Sequence, residues 1–172
     1  MPELQSLRRH DTAVAWRSAA YESASPVLLR GSQMEVVLRV QLLALPPSGG
    51  GANASSAAVE IRFMQLDGEA MLYTSVGLDV GRMHLYVDGS KQGGRRNSGP
   101  LYPPPPSADR WTQLHVIVDG GVVTAIGANN RTAITACVLP ANVSFDGLSV
   151  VAAAGGGVAA AQVEAWLLSP AN

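Results

Sequence analysis

The stretch that decides the fold runs from Leu114 to Pro140, LHVIVDGGVVTAIGANNRTAITACVLP. Leu114, Val116 and Val118 fall on one face of an extended chain, while Gln113, His115 and Asp119 fall on the other. That period of two marks a strand with one wet side. Asp119-Gly120-Gly121 then predicts a hairpin turn, because Gly and Asp tolerate the positive φ that a tight turn demands. Val122 to Ile126 run back. Gly127-Ala128-Asn129-Asn130 predicts a second turn, and Thr132 to Val138 a third strand rich in β-branched residues.

The same pattern recurs on both sides of this stretch. Met34 to Leu45 sets Val36, Leu38, Val40 and Leu42 against Glu35, Arg39 and Gln41. Val59, Ile61 and Phe63 alternate with Glu60, Arg62 and Met64, and Asp67-Gly68 turns the chain into a second hairpin strand, Ala70 to Leu78. Arg82 to Asp88 reads as a short strand with Leu85 and Val87 inside and His84, Tyr86 and Asp88 outside. Phe145 to Ala154 and Ala159 to Leu168 supply two closing strands around Gly155-Gly156-Gly157. Pro46 to Ser56 reads as a loop, and Gly89 to Asp109, which contains Pro103-Pro104-Pro105-Pro106, as a stiff extended linker without structure. No segment shows a capped 3.6-residue stripe. The expectation is an all-β chain folded as a two-sheet antiparallel β-sandwich of the jelly-roll or concanavalin-like kind, with a closed barrel as the alternative.

At 172 residues with 47% hydrophobic content, the chain can bury one good core and has no room for a large catalytic domain beside it. A net charge of -1 supplies no general field for a phosphate backbone or an anionic bilayer, so neither nucleic acid nor membrane is an expected partner. No apolar run approaches the roughly 20 residues of a membrane span, since Val27 to Leu45 is broken by Arg30, Glu35, Arg39 and Gln41; a soluble chain is predicted. The opening MPELQSLRRHD has no apolar stretch after its charges and is not a secretory signal. Yet the sequons Asn53-Ala-Ser55, Asn130-Arg-Thr132 and Asn142-Val-Ser144 mark Asn53, Asn130 and Asn142 as candidate glycosylation sites. Both features fit the tail of a longer precursor.

Little catalytic chemistry is written in the chain. His10, His84 and His115 lie far apart and lack the spacing of a metal site, so neither metal nor other cofactor is expected. Cys137 is the sole cysteine, which excludes an internal disulfide; in an apolar strand it reads as a small buried hydrophobe. The segment Gly89-Ser90-Lys91-Gln92-Gly93 lacks the residues of a nucleophile elbow or a phosphate-binding loop, and Asp67, Asp79, Asp88, Asp119 and Asp146 stand at turns and strand ends. Lys91, Arg95 and Arg96 read as a solvated loop. Sugar binding by a sandwich needs exposed aromatic faces, and aromatics make up only 5% of the residues. Trp111 and Trp166 are assigned to packing. Trp16, Tyr86 and Tyr102 are the candidate platforms for a fructan or other glycan.

The residues resemble the carboxy-terminal β-sandwich module of glycoside hydrolase family 32, the invertases and fructan hydrolases. One motif is a strand followed by a VDRS-like turn, here Leu85-Tyr86-Val87-Asp88-Gly89-Ser90-Lys91-Gln92-Gly93, with Gly89 in place of the usual Arg. The other is Leu114 to Pro140, where Asn130-Arg131-Thr132-Ala133-Ile134-Thr135 and Val138-Leu139-Pro140 fit, while Gly120-Gly121 and Thr124 depart from the pattern. Pro2-Glu3-Leu4-Gln5-Ser6-Leu7-Arg8 is similar to the family's connector, and Val163-Glu164-Ala165-Trp166 to its last strand. The resemblance implies a connector over residues 1–12 and a sandwich over 13–172. It further implies a catalytic five-bladed propeller as partner, in a longer chain or in trans, and a secreted or vacuolar parent that hydrolyses fructosyl bonds of sucrose or fructans. The family's Asn-Asp-Pro-Asn, Arg-Asp-Pro and Glu-Cys strings do not occur, so no catalytic residue is carried over and the chain alone is expected to be inactive. The rival expectation is a stand-alone lectin-like sandwich.

Overall fold

The computed structural model describes residues 5–18, 23–42, 59–65, 72–79, 82–101, 111–127, 131–138, 146–152 and 158–169. In chain order its strands are β1 (Val14–Ser18), β2 (Ser23–Ala24), β3 (Leu29–Arg30), β4 (Gln33–Leu42), β5 (Val59–Gln65), β6 (Thr74–Asp79) and β7 (His84–Asp88). They continue with β8 (Arg96–Pro100), β9 (Trp111–Asp119), β10 (Val122–Gly127), β11 (Thr132–Cys137), β12 (Gly147–Ala152) and β13 (Val158–Leu167). Two short 3-10 turns, His10–Thr12 and Ser90–Gln92, join them. No helix among the described residues is long and apolar enough to cross a membrane.

The strands form two antiparallel sheets, an all-β sandwich. The six-stranded sheet has the order β1-β13-β4-β9-β10-β11, and the seven-stranded sheet the order β2-β12-β5-β6-β7-β8 with β3 also on β12. The alternation read from the sequence decides what each sheet buries. Val36, Leu38 and Val40 of β4, Leu114 and Val116 of β9 and Val163 of β13 face Val59, Ile61 and Phe63 of β5, Val76 of β6 and Leu85 and Val87 of β7, all essentially without solvent contact. Each such side chain contributes about 1.5–3 kcal/mol by leaving water.

Local chemistry explains the irregular places. Between β9 and β10 the two-residue turn puts Gly120 at φ 54°, the first-position positive φ of a type II′ turn. Residues 23–30 form one edge strand interrupted at Pro26, which has no N–H; the Ser25 hydroxyl accepts from Val150 N–H and keeps the ladder satisfied. In β5, Phe63 and Met64 stand opposite the single residue Leu148 of β12, a bulge with Met64 at φ 55°. The Gln92 side-chain amide donates to the Met64 carbonyl at 2.8 Å, so the bulge has a fixed partner.

Two expectations are corrected. The segment from Gly89 is not a structureless linker: Arg96–Pro100 pairs with β7 as the sheet's edge strand. Arg-Asn-Ser-Gly-Pro carries no strand pattern, but an edge tolerates it, because only one side of the strand must hydrogen-bond and Pro100 stands at its end. Cys137 is exposed, not buried, since it alternates with the inward Ala136 on the edge strand β11. The Asp67-Gly68 turn, the Pro46–Ser56 loop and residues 102–110 lie outside the described residues.

Candidate interaction surfaces

The outer faces of the two sheets carry the molecule's polar chemistry, and they differ. On the seven-stranded sheet, Gly77 of β6 leaves a space filled by the neighbouring Tyr86 of β7; a Cβ at Gly77 would overlap the Tyr86 hydroxyl. That hydroxyl donates to Glu60 Oε2 at 3.0 Å, and Arg62 Nε donates to Glu60 Oε1 at 2.7 Å. Arg96 closes the ring from above, its guanidinium 4.0 Å from the Tyr86 centroid, and stands 3.8 Å from Asp79 and 3.9 Å from Asp88. Arg62 covers Tyr73 in the same way at 4.3 Å. Burial, then the nearby Glu60 carboxylate, pushes the Tyr86 phenol far above its ordinary value of 10.0. This face is a closed set of mutual pairs.

On the six-stranded sheet the centre is a buried carboxylate. Glu35 points outward from β4 but is only 1% exposed, because Arg8, ahead of β1, lies across it. Arg8 Nε and Nη2 donate to the two Glu35 oxygens at 2.7 Å each, a bidentate fork, and its guanidinium stacks 3.9 Å from the Trp166 ring centroid. His115 Nε2 stands 2.6 Å from Glu35 Oε1. Burial on its own would raise the Glu35 carboxyl, but the hydrogen bonds and charge of Arg8, then of His115, outweigh it and hold the group below its ordinary 4.5. An ionised Glu35 can only accept, so the Nε2 of His115 carries the hydrogen. The segment ahead of β1 is tied down further by Arg9 N–H to Leu167 O at 2.9 Å, Ser169 N–H to Leu7 O at 2.8 Å, and Leu167 N–H to the Thr12 hydroxyl at 3.0 Å.

The rest of that outer face is fixed by register. Trp166 pairs with Glu35, which pairs with Ile117 and through it with Thr124; Val37 pairs with His115, which pairs with Ile126. Trp111 stands opposite Gln41, and Arg39 lies between Gln162 and Gln113. Trp111, Ile117 and Ile126 are half-buried, whereas Arg17 and Arg39 are exposed and make no ion pair among the described residues. Among those residues no group of three or more His, Cys, Asp or Glu side chains converges on a point.

The glycan platforms expected from sequence are corrected in two cases. Tyr86 is 2% exposed, its ring sunk over Gly77 and capped by Arg96, so no face is open for stacking. Trp16 stands opposite the buried Val163 and packs against the core from the border strand β1. Tyr102 and the sequon residues Asn53, Asn130 and Asn142 lie outside the described residues. Trp111 and Trp166, read as packing residues, occupy the outer face. The Arg8–Glu35–His115 group went unforeseen, because Glu35 carries the signature of a wet strand position and its partners come from elsewhere in the chain.

Comparison with known proteins matches this architecture. The family model described as Glycosyl hydrolases family 32 C terminal matches residues 3–167. Among curated proteins none matches. Among solved structures, the exo-inulinase of Aspergillus awamori superposes with a TM-score of 0.74 at 17% identity, over 96% of this chain and 31% of that one. Fructan 1-exohydrolase IIa of Cichorium intybus, solved with 1-kestose, gives 0.68 at 15% identity, over 99% of this chain and 38% of that one. The fructosyltransferase of A. japonicus gives 0.68 at 12% identity, over 98% and 28%. This chain therefore spans about a third of the length of the structures it matches. It belongs to the carboxy-terminal domain family of the family 32 glycosyl hydrolases.

Proposed function

We propose that this chain is a non-catalytic module that packs on the catalytic propeller of a family 32 enzyme, in a longer chain or in trans, and stabilises it. The observation that carries the reading is the pairing of a family match over residues 3–167 with coverage of only 31% of a neighbouring exo-inulinase. The sequence lacks the family's catalytic strings, which agrees with a supporting role. By kinship the parent hydrolyses fructosyl bonds of sucrose or fructans by the retaining route, in which two carboxyl groups flank the scissile bond. A domain bound only to the folded partner stabilises it by mass action, so adding the module raises the partner's melting temperature.

Two measurements test this. The purified chain, incubated with sucrose or inulin, is expected to release no fructose above a blank; release would sink the non-catalytic assignment. The parent's propeller produced with the module is expected to melt at a higher temperature than the propeller alone, and equal melting would remove the stabilising role.

A further inference from the structure

We propose that one resident water molecule binds at the end of the core where β5, β6 and the Ser90–Gln92 turn meet, held by the Thr74 hydroxyl and the Gln92 side-chain carbonyl, and that it fastens that turn to the two strands. Every group in the site belongs to the sandwich itself, so the proposal goes beyond the functional reading above and does not depend on it.

Among the described residues two buried side-chain atoms have no hydrogen-bond partner in the protein, Thr74 Oγ1 and Gln92 Oε1. Topology brings them to one place. Thr74 opens β6, has no solvent exposure, and shares the inward face with Phe63, its partner on β5. The Ser90–Gln92 turn follows β7, on the other side of β6, and lies against β6. From there the Gln92 side chain reaches Met64 O of β5, two strands away, at 2.8 Å. Neighbouring strands stand about 4.8 Å apart, so a side chain that links the turn to β5 crosses the end of β6, where Thr74 is.

The chemistry of the two oxygens names their guest. Met64 O can only accept, so Gln92 turns its NH2 group toward it and its Oε1 away, as an acceptor in need of a donor. The backbone donors of the turn are already spent. Gly89 N–H goes to Arg95 O, Ser90 N–H to Asp88 Oδ1, Gln92 and Gly94 N–H to Gly89 O, and Gly93 N–H to Ser90 O. A donor for Oε1 therefore comes from outside the chain. The Thr74 hydroxyl can give or take a hydrogen bond, so the guest must donate to one oxygen and exchange a bond with the other, as water does.

Charge and access agree. Phe63, Met64, Val76 and Val138 around the site are apolar and buried, and Asp88, the acid that precedes the turn, is held by Ser90 N–H and Arg96. A cation would find no counter-charge there, whereas a neutral guest needs none. An open hollow of about 220 Å³, lined by Gly89, Gln92, Gly93, Gly94, Cys137 and Val138, gives water its way in. Buried waters characteristically join groups that would otherwise stay unpaired.

A high-resolution crystal structure of the 172-residue chain tests the site. The expected result is one ordered water within about 3 Å of both Thr74 Oγ1 and Gln92 Oε1. A direct bond between Thr74 and Gln92, or no water shared by the two oxygens, overturns the proposal. Amide hydrogen exchange tests the fastening. Thr74→Val keeps the shape of the side chain and removes its hydroxyl, so the Gln92 and Gly94 amides should exchange several-fold faster while those of Val116 and Val118 in β9 keep their rates. Unchanged exchange in the turn overturns the fastening role, and so does equal acceleration in β9, since the hydroxyl would then support the whole sandwich and not the turn.

Discussion

Replacing Arg8 with Ala uncovers the Glu35 carboxylate and leaves it His115 as its remaining partner. Removing one member of a buried pair costs about 3–5 kcal/mol. Because His115 stays and water reaches the uncovered carboxylate, Arg8→Ala is expected to cost less than that, about 1.5–3 kcal/mol, the worth of hydrogen bonds to a charged group, read as a lower urea midpoint with an unchanged slope. Acid probes the same group. Its folded-state titration lies below the ordinary 4.5, so the stability it contributes is complete above that value and is lost as pH falls through the depressed one. Burial, opposed by the Arg8 and then the His115 hydrogen bonds and charges, sets the size of the effect. In Arg8→Ala the loss of stability with acid should be shallower than in the parent chain; an identical acid profile would show that the pair does not hold the carboxyl down. Tyr86 titrates in the opposite sense. Its raised phenol contributes stability that is full below 10.0 and declines only as pH rises toward the shifted value, so an ultraviolet titration of the folded chain should show this tyrosine silent through the range in which an ordinary phenol ionises. None of this could be read locally. A period of two places Glu35 and Tyr86 outside correctly, but what covers them, Arg8 from 27 positions away and the gap over Gly77 on the next strand, is set by pairing.

At the scale of elements, the β9–β10 hairpin was the most legible part of the sequence, since its turn chemistry and its alternation agree. Gly120 has nothing within 4 Å of where a Cβ would lie, so Gly120→Ala isolates the strain of its φ of 54°. The expected cost is about 1–2 kcal/mol in thermal or urea unfolding. Gly77→Ala asks a different question, for there the backbone is relaxed and the obstacle is the Tyr86 hydroxyl. Displacing that ring is expected to cost about 1–3 kcal/mol and to free Arg96; a neutral result would mean the ring has another place to go. Strand β8 and the broken edge β2–β3 were not legible, because an edge is held by one neighbour's hydrogen bonds more than by its own side chains. The exposed Cys137 follows the same rule: on the edge strand β11, even an apolar run has one face open.

For the molecule as a whole, alternation and turn spacing suffice to name the class, a sandwich, yet not the order of its strands. That order joins β1 to β13 and sets β4 between β13 and β9, so the six-stranded sheet cannot form until both ends of the chain have come together. Closing loops of that length precedes any reward from the contacts, and refolding from denaturant is expected on the scale of ~milliseconds to seconds. The same arrangement has a mechanical meaning. Leu7 and Ser169 are hydrogen-bonded neighbours, and from them β1 and β13 run side by side and antiparallel. Tension applied between those two residues would open the ladder rung by rung, in the manner of a zip, instead of loading all its rungs at once in shear. A single molecule held by these two points should yield at low force, shedding β1 before the core of the sandwich gives way.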